Sequence, residues 1–506
     1  MRAPISRKQI FNFIWLALTG TGIMLLSFRE APAQPTETPE KAPEKTLELS
    51  LEDVTRLALE NSLDIQIAKF DAYIKRTSLE KAESLFDTFL NAQGYFSHNK
   101  KMQPSSLLGS DEKEHGFSVG LEKKLPTATT LTLDAMGTKS RSSSSFVTLN
   151  PFNEAETRIS LEQSLGRNFF GLADRASIKI TKLDIENSDF SSLDDMEKSL
   201  ADVQQAYWDF VLKDAQLVIA EEMFKSAETL YKIYQDKFER GLTEESELLA
   251  LEALVSTRYG EVIIAELEKE TAKNNLFFLM NSGSFEEALA PKDNLTTDTH
   301  SVNLYEEVKE AIVNRRDYKR KTNELKSKRI EMVVNENALW PEINLEASFS
   351  RNHLNTDRGK AWEGLGNNAN DEVLVELKFK MPLENREARA DLNKTNLERE
   401  KLLLGLKKIE RLVLMEVHDA VNHVNITQNQ VSLYESIVKM HEKKLDKEIE
   451  RLNYGRSDAD TLIRYEEDLL ESRRILSNYW HQYRRNLIEL ERVKNSLLDR
   501  YWQEPL

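Results

Sequence analysis

Apolar side chains recur at every seventh position in two long stretches of the chain. Val203, Phe210, Leu217, Phe224, Tyr231 and Phe238 form one run; Val417, Val424, Val431, Val438, Leu445 and Leu452 form the other. A period of seven held over six positions predicts helices packed side by side as coiled coils. At a rise of 1.5 Å per residue, a helix over 176–238 is roughly 95 Å long. Shorter helices are predicted over 50–86 and 244–280, each roughly 55 Å by the same rise. Stacked end to end, the two short helices match one long one.

Between the helices the period changes to two. "EVLVELKFKM" (372–381) alternates Val373, Val375, Leu377, Phe379 and Met381 with Leu374, Glu376, Lys378 and Lys380, one apolar face against a mainly polar one. "INLEASFSR" (343–351), "FLNAQGYFS" (89–97), "GFSVGLEKK" (116–124), "TTLTLDAM" (129–136) and "TRISLEQSL" (157–165) alternate more weakly. Segments of about ten residues of this kind, separated by turn residues, are the signature of a transmembrane β-barrel. A small soluble sheet is the other structure they fit.

The halves of the chain repeat one design. "LSLEDVTRLALENSLD" (49–64) matches "VNLYEEVKEAIVNRRD" (302–317), aligning Ala58, Asn61 and Asp64 with Ala311, Asn314 and Asp317. Leu85-Phe86 matches Leu339-Trp340, Arg175-Ala176 matches Arg389-Ala390, and "FERGLTEESELLALEALVSTR" (238–258) is echoed by "LNYGRSDADTLIRYEEDLLES" (452–472) around Gly241 and Gly455. The expected order in each half is helix, strands, very long helix, glycine turn, helix. The first repeat covers 49–300, with strands at about 88–166; the second covers 301–506, with strands at about 343–382. The first half carries about 40 more residues in its middle, because the separation falls from 253 (Ala58 to Ala311) to 214 (Gly241 to Gly455).

Composition narrows the chemistry. The 506 residues include no cysteine, which excludes disulfides, thiolate metal sites and thiol catalysis. A formal charge of −16 disfavours nucleic acid, whose phosphates require Lys and Arg. A mean hydropathy of −0.53 excludes a bundle of membrane helices. Arg2, Arg7 and Lys8, then an apolar run from Ile10 to Phe28 and "APA" at 31–33, have the order of a secretory signal, expected to be cleaved after Ala33. A membrane anchor is the alternative. The Pro-rich segment that follows reads as a tether over 34–48.

No catalytic, metal or cofactor site is legible. His418 and His423 lie about 140° apart around a helix, no phosphate loop is present, and "RSSSS" (141–145) reads as a loop. The turns offer the remaining chemistry. Gly241 and Gly455 suit a position of positive φ. Glu244, Glu245 and Glu247 follow one turn, Asp458 and Asp460 the other. Acidic groups there either cap the next helix through its dipole or, repeated around a pore, form an acidic ring.

Signal segment, duplicated helix–strand–helix plan and paired glycine turns together resemble the TolC-like outer-membrane efflux protein family, over roughly 49–500. The resemblance implies a mainly α fold with β: a long antiparallel coiled-coil α-helical barrel in the periplasm plus a transmembrane β-barrel, closed by a homotrimer. It implies a passive duct set in outer-membrane lipid, docking to a periplasmic adaptor (membrane fusion) protein and an inner-membrane transporter, without cofactor. Gly241, Leu242 and Thr243 with Gly455, Arg456 and Ser457 then form the adaptor-facing tip. In the family a ring aspartate commonly occupies the position of Thr461; here Asp460 sits one residue earlier. A periplasmic coiled-coil adaptor or scaffold without a barrel is the rival reading. The simplest family plan has two strands per half, so twelve per trimer. The extra segment 115–137 is either an added hairpin turning at "KKLPTAT" (123–129), giving six strands per chain and eighteen per trimer, or a hairpin outside the membrane.

Overall fold

The structure, a computed structural model, describes residues 47–102, 109–281, 287–297, 299, 301–454 and 456–502. The expected signal segment and Gly455 lie outside the described residues, as does the expected tether except for Leu47 and Glu48. Those two are strand rather than tether: β1 (Leu47–Leu49) pairs in parallel with β6 (Leu289–Pro291).

Two helices dominate, each of 68 residues: α3 (Leu172–Glu239) and α8 (Arg386–Asn453). Each is about 100 Å long by the α-helical rise. Beside the C-terminal part of each runs a 36-residue helix, α4 (Glu245–Met280) against α3 and α9 (Ala459–Lys494) against α8. The other part is covered by broken helices: α1 (Leu51–Asn61) and α2 (Leu63–Glu83) on α3, α5 (Leu304–Asn314) and α6 (Arg316–Asn337) on α8. The 11 and 21 residues of α1 and α2 and the 36 of α4 together equal the 68 of α3, so two stacked helices span one long partner.

The expected continuous helix over 50–86 is corrected here. It breaks at Ser62 (ψ 128°), and its counterpart breaks at Arg315 (ψ 116°), one residue after Asn61 and Asn314 respectively. The break turns the backbone out of helix just where the chain passes the main core. At the start of α1, Asp293 accepts a 2.6 Å hydrogen bond from the Leu51 amide, while Ser50 and Asp53 form a reciprocal capping box. The Tyr207 hydroxyl sits 2.8 Å from the same Asp293 carboxylate and 3.1 Å from the Leu49 carbonyl oxygen.

The sevenfold pattern holds on α8, where Val417, Val424, Val431, Val438 and Leu452 are buried. On α3 it drifts. Val203 and Phe210 are buried, but Phe238 is 40% exposed, and the buried seam beyond Leu217 runs instead through Ala220, Met223, Ala227, Leu230 and Tyr234. A straight helix drifts by about 20° per heptad from an exact seven-residue repeat, and on α3 the buried stripe shifts to other positions accordingly. A large core forms around Tyr207, Phe210, Trp208, Trp480 and Tyr483, and a smaller one around Tyr234, Leu251 and Leu462 near the turns.

Strands β2 (Thr88–Asn99), β3 (Glu112–Lys124), β4 (Thr129–Ser142), β5 (Phe152–Ser164), β7 (Glu342–Asn355) and β8 (Asn370–Lys380) make one antiparallel sheet in that spatial order. The segment 115–137 therefore supplies β3 and β4 within this sheet, between β2 and β5. Helix α7 (Arg358–Asn367) connects β7 to β8 and packs on β5 and β7. The four helices that adjoin the sheet along the chain, α2, α3, α6 and α8, all join it at the same end, the end of the turn 125–128. That turn is pinned to the start of α3: a Cβ on Gly171 would lie 2.1 Å from the Pro126 carbonyl oxygen, and Lys124 pairs with Asp174 at 2.9 Å.

A buried ion pair joins α3, α6 and the corner after α9, where α10 (Leu497–Tyr501) begins. Arg316 (4% exposed) donates to Glu197 (0% exposed), which also accepts from Asn495 Nδ2 at 3.2 Å and from the Leu497 amide at 3.0 Å. Glu197→Ala leaves a guanidinium buried without its main partner, a loss of about 3–5 kcal/mol. We expect that variant to unfold at a clearly lower temperature by circular dichroism, and the double change Glu197→Leu with Arg316→Leu to recover much of the loss. Unchanged melting of Glu197→Ala would show that the pair is dispensable.

Candidate functional site

The sheet has two chemically opposite faces. Its register places Leu90, Leu121, Leu133, Ile159, Phe349 and Val373 in one row across all six strands. All six are exposed, Leu90 and Val373 by 68% and 72%. The next row toward the helices includes Leu131, Leu161, Ala347 and Val375, followed by Leu345 with Leu377 and Ile343 with Phe379. The opposite face carries Gly120, Asp134, Arg158, Ser350 and Glu372 in one row and Thr130, Glu162, Glu346 and Glu376 in another. Ten residues separate His353 from Ile343 along β7, about 33 Å of strand, or about 25 Å of height at a 40° tilt. That is the height of the apolar band of a transmembrane barrel, with one ion pair, Arg351–Asp371 at 2.8 Å, inside it on the same face.

At the far end of the helices the turns are built alike. The Gly241 amide bonds the Phe238 carbonyl at 2.9 Å and the Leu242 amide bonds the Lys237 carbonyl at 2.9 Å, with Gly241 at φ +69°. This is a Schellman termination, in which the residue after the cap takes a left-handed conformation. The Arg456 amide bonds the Arg451 carbonyl at 2.9 Å, the same long bond at the second turn.

The acidic residues divide by role. Asp458 is the N-cap of α9 and accepts from the Thr461 amide at 2.8 Å; that bond and one from the Thr461 hydroxyl hold its carboxyl below the usual aspartate range. Glu247 accepts from the Thr243 hydroxyl. Glu244 is the N-cap of α4 by backbone geometry without a side-chain cap bond, and Glu245 and Asp460 lie in the first turns of α4 and α9. Buried beneath them, Tyr234 has its phenol pushed up to about 12 by desolvation, with Glu247 and Asp458 adding to the shift.

Three polar groups of the turn region were not anticipated from the sequence. Glu466 and Arg258 are each 5% exposed and Glu448 4%. Glu466 accepts from the Ser226 hydroxyl at 2.6 Å, and burial raises its pKa against the opposing charge of Arg258. Their signal was present: Ala459, Leu462, Glu466 and Leu469 follow the three-four spacing of a buried seam, as do Leu251, Leu254 and Arg258.

Residues 308–496 match the family model described as outer membrane efflux protein. This part of the chain is similar to the outer membrane efflux protein family. Solved channels of similar fold include CusC (16% identity, 93% of this chain and 99% of that one, TM-score 0.66). CmeC, an outer membrane channel of Campylobacter jejuni, matches at 13% identity, 94% of each chain and TM-score 0.64. MtrE, an outer membrane channel of Neisseria gonorrhoeae, was solved in an open state and matches at 15% identity over 90% of this chain and 91% of its own, TM-score 0.64. No curated protein sequence matches. In this chain the two-faced sheet and the turn pair stand at opposite ends of one helical body.

The Asp458 cap gives a prediction with a definite sign. A carboxyl whose pKa is lowered by folding stabilises above its unfolded pKa and loses that contribution as pH falls through its folded one. Protection of the amides at 459–462 against hydrogen exchange should therefore drop in wild type on acidification below the ordinary aspartate pKa. It should be low at every pH in Asp458→Ala and largely retained, without that pH step, in Asp458→Asn, an N-cap change worth about 1 kcal/mol. Equal protection in all three proteins would contradict the cap.

Proposed function

We propose that the protein is the outer-membrane component of a tripartite efflux or secretion system, a passive trimeric duct from periplasm to exterior. The observation that carries this reading is the exposed apolar row across six strands, continuous with a helical body about 100 Å long. The first and last strands, β2 and β8, have one unpaired edge each; β8 is exposed along its whole length and β2 everywhere but Asn99. In this proposal β8 of one copy pairs with β2 of the next, and the six strands of three copies close an eighteen-stranded barrel. Its bore exceeds that of a twelve-stranded barrel, since diameter grows with strand number. The polar face lines the bore. The two halves of the chain act as internal repeats, so a trimer presents six similar turns in a ring.

In the same reading the turns are the periplasmic tip, where Gly241, Leu242, Thr243, Gly455, Arg456 and Ser457 meet an adaptor that links the duct to an inner-membrane transporter. Glu244, Glu245, Glu247 and Asp460 supply the acidic ring, while Asp458 contributes mainly as a cap. A Cβ on Gly241 would meet nothing within 4 Å, so a substitution there acts through backbone strain rather than collision.

Purified protein in mild detergent should scatter light as a trimer. Gly241→Val, strained by about 1–3 kcal/mol, should keep that trimer while losing adaptor cross-linking and export. A helical monomer, or full cross-linking and export by the variant, would sink the reading. A cysteine introduced as Thr127→Cys, on the turn facing the helices, should stay unlabelled by an impermeant thiol reagent in intact cells. Labelling there would rule out the six-strand topology.

A further inference from the structure

At the end of the sheet away from the helices, the apolar face changes character. His98, Lys113 and Arg141 form its last row, and Phe96, His115, Lys139 and Asn153 the one before. These share the face of Leu121 and Ile159, because side chains alternate with a period of two. The connection carrying α7 folds back onto this face instead of leaving it. Trp362 stacks on Phe117 at 6.1 Å, Arg358 lies over the same ring at 5.1 Å, and Gly364 packs against the His353 ring.

Lys113, Lys139, Arg141 and Arg358 are all exposed. Among the described residues none of the four has a salt-bridge partner. Of the nearby carboxylates, Asp111 bonds His98 at 2.8 Å and feels Lys113 only at longer range, Asp371 pairs with Arg351 at 2.8 Å, and Glu154 bonds Asn352 at 2.8 Å. A free cationic patch above an apolar band is costly on a face that meets hydrocarbon, unless anions lie at the same height. Neighbouring rows and strands lie about 5–7 Å apart, so the four cations and the aromatic pair fall within the footprint of one lipid headgroup.

We propose that this patch is a binding site for a phosphorylated lipid of the outer leaflet. Lys113, Lys139, Arg141 and Arg358 take the phosphates, and Phe117 with Trp362 lies against the top of the acyl chains. Aromatic rings at such a boundary present an apolar body to lipid and stay close to the headgroups. Charge complementarity selects the occupant: guanidinium and ammonium groups bind phosphate oxygens through charge-assisted hydrogen bonds. The proposal rests on the outer-membrane barrel reading given above, and it assigns α7 a role that the bore does not require.

The test uses the purified full chain in detergent with three additions: bis-phosphorylated lipid A, the same lipid with its phosphates removed, and inorganic phosphate. Lipid retention is read by native mass spectrometry and stability by thermal unfolding. The wild type should retain the phosphorylated lipid at least tenfold more than the dephosphorylated one, and gain stability from it. The variant carrying Lys113→Gln, Lys139→Gln and Arg358→Gln should lose that preference while keeping heat-modifiable migration. Equal retention of the two lipids, unchanged retention by the triple variant, or equal stabilisation by inorganic phosphate would overturn the site. Wild-type protein without heat-modifiable migration would overturn the barrel reading together with it. An intact barrel that does not discriminate between the lipids overturns the lipid site alone.

Discussion

An open strand ladder is the constraint from which the rest of the molecule follows. The outer edges of β2 and β8 present unpaired backbone N–H and C=O groups, and the face between them is apolar and exposed. In hydrocarbon each unpaired group costs several kcal/mol, so a spanning sheet has to close on itself. Six strands are too few: the smallest membrane barrels have eight. Under the membrane-spanning reading proposed above, closure needs other copies of the chain. The same need reaches the helices, because α2, α3, α6 and α8 leave one end of the sheet and have to follow whatever curve the strands adopt.

The helical body meets this demand with matched lengths. Two helices stacked along one keep the wall at an even thickness from the sheet to the turns. The joints between stacked helices coincide with the largest core, where Tyr207, Asp293 and the Arg316–Glu197 pair tie separate segments together. A joint is the weakest point of a stacked helix, and the polar network and aromatic packing concentrate there.

Much of this was readable from residue order. The alternation of 372–381 located β8, "KKLPTAT" located the turn between β3 and β4, and valines at spacing seven marked the buried stripe of α8. The glycine at 241 gave the left-handed turn residue because few other side chains tolerate that φ. What escaped was set by distant partners. The break at Ser62 is fixed by packing and by the Asn281 side chain, which bonds the Asn61 carbonyl from 220 positions away. The drift of the α3 seam depends on which neighbour is present at each level. Glu466 and Arg258 fell on seam positions and were passed over because charge was read as surface.

The uneven distribution of core along the two long helices has a mechanical consequence. Around Tyr207 and Tyr483, aromatic and aliphatic side chains from many segments interlock, whereas the turn end is held by a few residues around Tyr234. Within that thinner layer Glu466, Glu448 and Arg258 replace apolar seam residues. Local opening requires least free energy where buried apolar contact is sparse. The helices therefore form a cantilever, clamped at the joint level and compliant at its free end. On that ground, bending of the helices is expected to be easiest at the turn end.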